Sequence, residues 1–121
     1  MNLPHPTEPA TSAPGIRPIS DFLGQIIHGD CISVMQTMPD RSVDMVITDP
    51  PYLVNYKPRD GRHCSNDNNN AWLEPSFREM HRVLKPNSFC ATFYGWPWVD
   101  VFMAAWRKAG FRPVSHLIWT K

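Results

Sequence analysis

Short apolar runs alternate with stretches of helical period along most of this chain, and that alternation predicts its elements. Residues 25–28 (QIIH) form a short strand candidate closed by Gly29-Asp30. Ile32, Met35 and Met38 then recur at helical spacing until Pro39-Asp40 breaks the period. Residues 43–48 (VDMVIT) are β-branched and nearly continuous in apolar character. Asp49-Pro50-Pro51 stops them abruptly, the pattern of a strand buried on both faces. The polar stretch 53–70 reads as a long loop, and loops of that length inside a compact domain tend to be functional or disordered. Trp72, Phe77, Met80 and Leu84 mark one face of a helix that ends at Lys85-Pro86-Asn87. Residues 89–94 (FCATFY) are a further strand. Val99, Phe102, Met103 and Trp106 line the next helix, with Gly110 where a glycine stop belongs, and residues 114–119 begin a last strand. Four strands separated by three helices imply an α/β sheet with parallel strands.

A length of 121 residues fits one domain. Five of the 13 prolines (Pro4, Pro6, Pro9, Pro14 and Pro18) crowd the beginning, so residues 1–20 are expected to be a mobile Pro-rich lead-in and residues 21–121 the folded portion. A formal net charge of +1 neither requires nor excludes a nucleic-acid partner, because such binding needs a local basic surface. Cys31, Cys64 and Cys90 are odd in number and form no CxxC pair, which suits a reducing cytoplasm. No apolar run approaches the roughly 18 residues that span a bilayer, and no secretion signal is read at the start. A cytoplasmic protein without a membrane partner is the expectation.

In open α/β sheets ligands bind beyond the carboxyl ends of the strands, so the residues immediately after each strand are the ones to inspect. Asp49-Pro50-Pro51-Tyr52 stands directly after the most apolar strand. The run VDMVITDPPY resembles the catalytic motif of the DNA amino-methyltransferases in its aspartate form. An exocyclic amino nitrogen is a poor nucleophile because its lone pair is delocalised into the ring. Two acceptors, the Asp49 carboxylate and the Pro50 carbonyl, can each take one N–H and stabilise the developing positive charge. Consecutive prolines hold that carbonyl stiffly, and Tyr52 offers a flat face for a base rotated out of the duplex. An Asp-Pro-Pro turn with a packing tyrosine is the plainer alternative. Asp49, Pro50, Pro51 and Tyr52 are therefore the candidate catalytic residues.

The same resemblance implies that Asp30 and Cys31, in Gly29-Asp30-Cys31, approach the adenine of S-adenosylmethionine, with Asp49 as a further cofactor-binding residue. Taken alone, Asp30 reads equally as a helix N-cap. Lys57, Arg59 and Arg62 are candidate DNA-phosphate contacts, or simply a solvated loop. His63-Cys64 has no further Cys or His at zinc-ligand spacing, so no metal is expected. By resemblance Phe93-Tyr94-Gly95-Trp96 belongs to the wall of the target-base pocket, although a core aromatic cluster accounts for most of it.

The resemblance covers roughly residues 25–121 and implies a methyltransferase of the Rossmann-like fold, incomplete here, with the sheet order 3-2-1-4-5-7-6. If the four strands are 3, 4, 5 and 6 of that order, only 4 and 5 are neighbours. The family's Gly-rich cofactor strand is not found, since the six glycines never cluster. The chain is therefore expected to be inactive alone and to need a C-terminal half or a second subunit. The implied activity is site-specific methylation of adenine N6 in double-stranded DNA with the target base flipped out, either as part of a restriction-modification pair or as a solitary methylase. Methylation of cytosine N4 is the alternative, where Ser in place of Asp49 is usual, and a non-catalytic module that binds DNA or a partner is the other.

Overall fold

The structure is a computed structural model that describes residues 15–55, 59–62 and 66–120. Helix α1 (Cys31–Met35) is followed by strand β1 (Val43–Thr48), helix α2 (Leu73–Val83), strand β2 (Leu84–Thr92) and helix α3 (Val99–Ala109). Two short 3-10 turns, Ile19–Phe22 and Trp96–Trp98, complete the described elements. β1 and β2 pair in parallel, with α2 in the connection between them. A parallel pair needs such a crossover, because a tight turn cannot bring the chain back to the same end of the sheet.

The sheet buries one face. Register places Met45 beside Phe89, Val46 beside Cys90 and Ile47 beside Ala91. Alternation along a strand then puts Val46 and Cys90 on one face and Met45, Ile47 and Phe89 on the other. Val46 and Cys90 pack against the core, which is built from Leu73, Phe77 and Met80 of α2 and Phe102, Ala105 and Ala109 of α3. Burial pushes the Cys90 thiol up to about 11, so it behaves as a small apolar group. Met45, Ile47 and Phe89 remain 50%, 71% and 66% exposed. The expectation that β1 is buried on both faces is therefore corrected: its apolar composition suits two covered faces, and only one is covered among the described residues.

Trp106 binds the helices together through rings, with Phe77 at 6.1 Å and Tyr94 at 5.7 Å in edge-on contact. Gly110 ends α3 at φ 104°, where its N–H donates to the Arg107 carbonyl and the next N–H, from Phe111, reaches Trp106. On the other side of α2, Arg82 fastens the region around α1. Its guanidinium donates to the carbonyls of Met35 and Met38 and to the carboxylates of Glu79 and Asp40.

Two further expectations change. Residues 25–28 and 114–119 pair with no strand, and the only ladder among the described residues is β1 with β2. The four expected strands thus become two. The helix over Trp72 to Leu84 is α2, but no loop follows it: Leu84 already pairs with Val43. Lys85-Pro86-Asn87 instead falls in the register shift between the Val43 and Met45 pairings, with Asn87 at φ 61°. A bulge is where a strand tolerates a proline. The lead-in expected over 1–20 is described only from residue 15, and there the Arg17 N–H is held by the Thr37 carbonyl at 2.8 Å.

Candidate active site

β1 ends at Thr48, and its last carbonyl accepts the Phe93 N–H at 3.0 Å, which extends the ladder one residue beyond β2. Asp49-Pro50-Pro51-Tyr52 leaves the sheet from that locked end. Pro50 is buried and Asp49 is exposed, so the stiff dipeptide roots the turn while the carboxylate stands clear. The Tyr52 hydroxyl donates to Asp49 Oδ1 at 2.5 Å. That bond, burial and the nearby negative charge push the Tyr52 hydroxyl up to about 12.

Behind the motif, the chain turns through Leu53 at φ 62° and Asn55 at φ 49°, left-handed conformations uncommon for residues other than glycine. Asp67 closes the base of the following loop: its carboxylate accepts the Val54 N–H at 3.1 Å and its carbonyl the Asn55 N–H at 3.2 Å. Trp72 closes the far end, with its indole N–H directed at the carbonyls of Asn66 and Asn69 at 3.0 and 2.8 Å. These two residues escaped sequence reasoning. The run SNDNNN signals turns but not which of its members is buried, and the helical period assigns Trp72 to a helix face.

A hollow of about 230 Å³ opens in front of the motif, lined by Asp30, Cys31, Ile32, Asp49, Trp72 and Met80 among others. Asp30 and Cys31, adjacent in sequence, are thus brought to one cavity with the distant Asp49. Asp30 is also the N-cap of α1: its carboxylate accepts both the backbone N–H and the hydroxyl of Ser33 at 2.9 Å. The backbone bond first, and the hydroxyl after it, hold the Asp30 carboxyl below its ordinary value. Desolvation, and then the Asp30 charge, raise the Cys31 thiol. Cys31 therefore stays protonated near neutrality and offers no nucleophile.

The remaining candidates divide. Arg59 is exposed, Arg62 is exposed and paired with Asp60 at 2.5 Å, and Lys57 lies outside the described residues with His63 and Cys64. Arg59 and Arg62 do not line the hollow. Among the described residues no His, Cys, Asp or Glu cluster could hold a metal, and no helix is long and apolar enough to cross a membrane. Of Phe93-Tyr94-Gly95-Trp96, only Tyr94 joins the aromatic cluster; Phe93 and Trp96 are exposed and Gly95 is buried against Tyr52.

The model of the DNA methylase family matches residues 43–121, beginning at the first residue of β1. Over 99 residues the chain is 50% identical to YubD of Escherichia coli (strain K12), carried under the name of a candidate methylase, across 82% of this chain and 44% of that one. It is 31% identical over 72 residues to the type II methyltransferase M.HinfI of Haemophilus influenzae, across 60% of this chain and 20% of the relative. It is 37% identical over 65 residues to the type II methyltransferase M.BglII of Bacillus subtilis, across 54% and 18%. The chain thus spans less than half the length of each of these relatives. No solved structure matches it.

Proposed function

The chain belongs to the DNA methylase family of the N4/N6 type, and from that premise we propose that it carries the methyl-transfer residues of an adenine N6 methyltransferase acting on DNA. The observation that supports the reading is the placement of Asp49-Pro50-Pro51-Tyr52: it leaves the carboxyl end of β1 with Asp49 at the mouth of the hollow that also holds Asp30. S-adenosylmethionine supplies the methyl group when bound. The residues present suit its adenine end: an Asp30 carboxylate to accept from an exocyclic amine, the Cys31 backbone N–H, and apolar walls from Ile32 and Met80. The volume of about 230 Å³ lies below the roughly 300 Å³ at which small-molecule pockets begin, so the described residues suit one end of the cofactor and not the whole.

Asp49 and the Pro50 carbonyl then act on the target base. Each accepts one N–H of the amino group, drawing the nitrogen lone pair out of conjugation so that it can attack the methyl carbon. The positive charge that grows on nitrogen sits beside the Asp49 carboxylate, an acceptor already in place before the reaction. Tyr52 supplies the stacking face for the extruded base, and Arg59 and Lys57 would contribute to phosphate binding. Aspartate in the first position of the motif favours adenine over cytosine by resemblance to the family.

A second reading, binding of DNA or a partner without methyl transfer, is favoured by the small hollow alone. Incubation of unmethylated DNA and S-adenosylmethionine with the chain joined to the C-terminal half expected from its sequence, followed by mass spectrometry of the nucleosides, decides among them. N6-methyladenine is expected. N4-methylcytosine would reassign the base, and neither product alongside intact DNA binding would support the second reading.

A further inference from the structure

Gly95 is buried in the turn that follows β2, and the space a side chain would need there is already taken by Tyr52. A Cβ at Gly95 would lie 2.5 Å from the Tyr52 carbonyl oxygen, 3.0 Å from Tyr52 Cβ and 3.4 Å from its carbonyl carbon, where ordinary contact begins at 3.4 Å. The backbone of Gly95, at φ −83° and ψ 118°, is one that any residue adopts. Its identity is therefore set by close approach and not by conformational freedom. Other glycines differ: Gly15, Gly24 and Gly61 face open space, Gly24, Gly61 and Gly110 have positive φ, and Gly29 and Gly110 would meet only side-chain atoms, of Val34 at 3.3 Å and of His81 at 3.0 Å, whereas Gly95 meets backbone.

Both sides of this contact are held. The Gly95 carbonyl accepts the Trp98 N–H at 2.9 Å, and the Phe93 N–H is bonded to Thr48 at the end of β1. The Tyr52 main chain is thus backed by a wall that cannot recede without disturbing the sheet or the entry to α3. From that main chain the Tyr52 ring reaches back to Asp49. On the functional reading given above, we propose that Gly95 is a positioning residue for the Asp49–Tyr52 pair, setting where the stacking ring and the acceptor carboxylate meet the target base. It touches neither base nor cofactor and acts through Tyr52. Displacements of about 1 Å in such a pair cost up to about 10²-fold in rate, so a backing contact this close has functional weight.

The test compares wild type with Gly95→Ala, and uses Gly110→Ala as a variant that strains the fold at φ 104° away from the site. Tyrosine labelled with carbon-13 at Cζ reports the Tyr52 hydroxyl by NMR, with Asp49→Asn marking the signal of the altered bond. Base capture is read from the fluorescence of a duplex carrying 2-aminopurine at the target position, and phosphate binding from overall DNA affinity. Gly95→Ala should move the Tyr52 signal toward the Asp49→Asn position and weaken base capture roughly tenfold, within the range for losing one base stack, while overall DNA affinity changes less than about twofold. Gly110→Ala should leave the Tyr52 signal in place. An unmoved Tyr52 signal in Gly95→Ala overturns the proposal. If the alanine variant does not fold, the wild-type protein decides: absence of a nuclear Overhauser effect between the Gly95 α-protons and the Tyr52 β-protons overturns it equally. Failure of every protein to capture the base would count against the methylase reading, while the Tyr52 signal would still judge the positioning role.

Discussion

The Tyr52 hydroxyl donates to Asp49 Oδ1 at 2.5 Å, three residues back along the same turn. The acceptor proposed for the target amino group is therefore already engaged before a base arrives. Entry of the base exchanges an O–H donor for an N–H donor at one carboxylate, which keeps that carboxylate satisfied throughout. It also separates two contributions of Tyr52, the ring face and the hydroxyl.

Tyr52→Phe keeps the face and removes the competing donor, whereas Tyr52→Ala removes both. Base capture should fall about 5- to 100-fold in Tyr52→Ala, as for loss of a stack contributing about 1 to 3 kcal/mol, and be retained in Tyr52→Phe. Titration of a 2-aminopurine duplex measures it. Equal defects in the two variants would show that the hydroxyl, and not the ring, is what the site needs.

The same bond predicts a pH dependence. The hydroxyl is pushed up to about 12 in the folded chain, against about 10 for a free tyrosine. A raised folded value means that the protonated form is favoured by folding, so the stabilisation is full below about pH 10 and is lost as pH rises toward 12. The stability difference between wild type and Tyr52→Phe, from urea unfolding, should stay constant through neutral pH and shrink above pH 10. A difference that grows with alkalinity would contradict the bond.

In the complete enzyme Asp49→Ala should lower methyl transfer by about 10² to 10³, the usual loss when one preorganised acceptor is removed. Binding of S-adenosylmethionine should change far less, because Asp30 and Cys31 line the same hollow independently. A tritiated-methyl assay beside calorimetry separates the two. Retention of more than a tenth of the activity would remove Asp49 from the chemistry.

Much of this arrangement is legible in the chain, and the exceptions share a cause. β1 is delimited by β-branched residues that meet Asp49-Pro50-Pro51, and α3 by its period and by Gly110; in both, the deciding signals lie within a few residues. Residues 114–119 carry an equally strand-like pattern and pair with no strand among the described residues, because a strand is a property of two segments and the pattern of one does not supply its neighbour. The end of α2 is hidden for a similar reason: Leu84 reads as the next residue of a helix face until Val43 is seen beside it. In the site, Asp49 and Tyr52 announce themselves by adjacency. Gly95 does not, since the contact that requires a glycine is made with a residue on another segment.

Arg82 places the Asp30 side of the hollow, and its loss should be felt there. With 27% side-chain exposure and donors directed at Met35, Met38, Glu79 and Asp40, it is half withdrawn from water. The bonds to Glu79, working against burial, and after them the bond to Asp40 raise its already high basicity, so it stays charged. Arg82→Ala should cost about 1.5 to 3 kcal/mol in urea unfolding, the range for hydrogen bonds to a charged group. Arg82→Lys should recover little, because a single ammonium cannot reach two carbonyls and two carboxylates in a planar fork. A fully stable Arg82→Lys protein would show that charge alone suffices.

The two faces of the sheet predict opposite responses to substitution. Val46 packs on the core, while Ile47, its neighbour on β1, is 71% exposed beside Ala91 and close to Phe89 on the bare face. Truncation at Val46 removes buried methyl groups and leaves a gap, so Val46→Ala should destabilise by about 1 kcal/mol or more. Ile47→Thr and Phe89→Thr remove apolar surface that water already reaches and keep residues that suit a strand, so each should change stability by no more than about 0.5 kcal/mol. The same pair should reduce self-association, because a contiguous exposed apolar patch is where soluble proteins adhere. Urea unfolding gives the first comparison and light scattering across a concentration series the second. If Ile47→Thr proved as destabilising as Val46→Ala, the face that carries Met45, Ile47 and Phe89 would have to be covered in the folded protein, and the sheet would be buried on both sides as the composition of β1 first suggested.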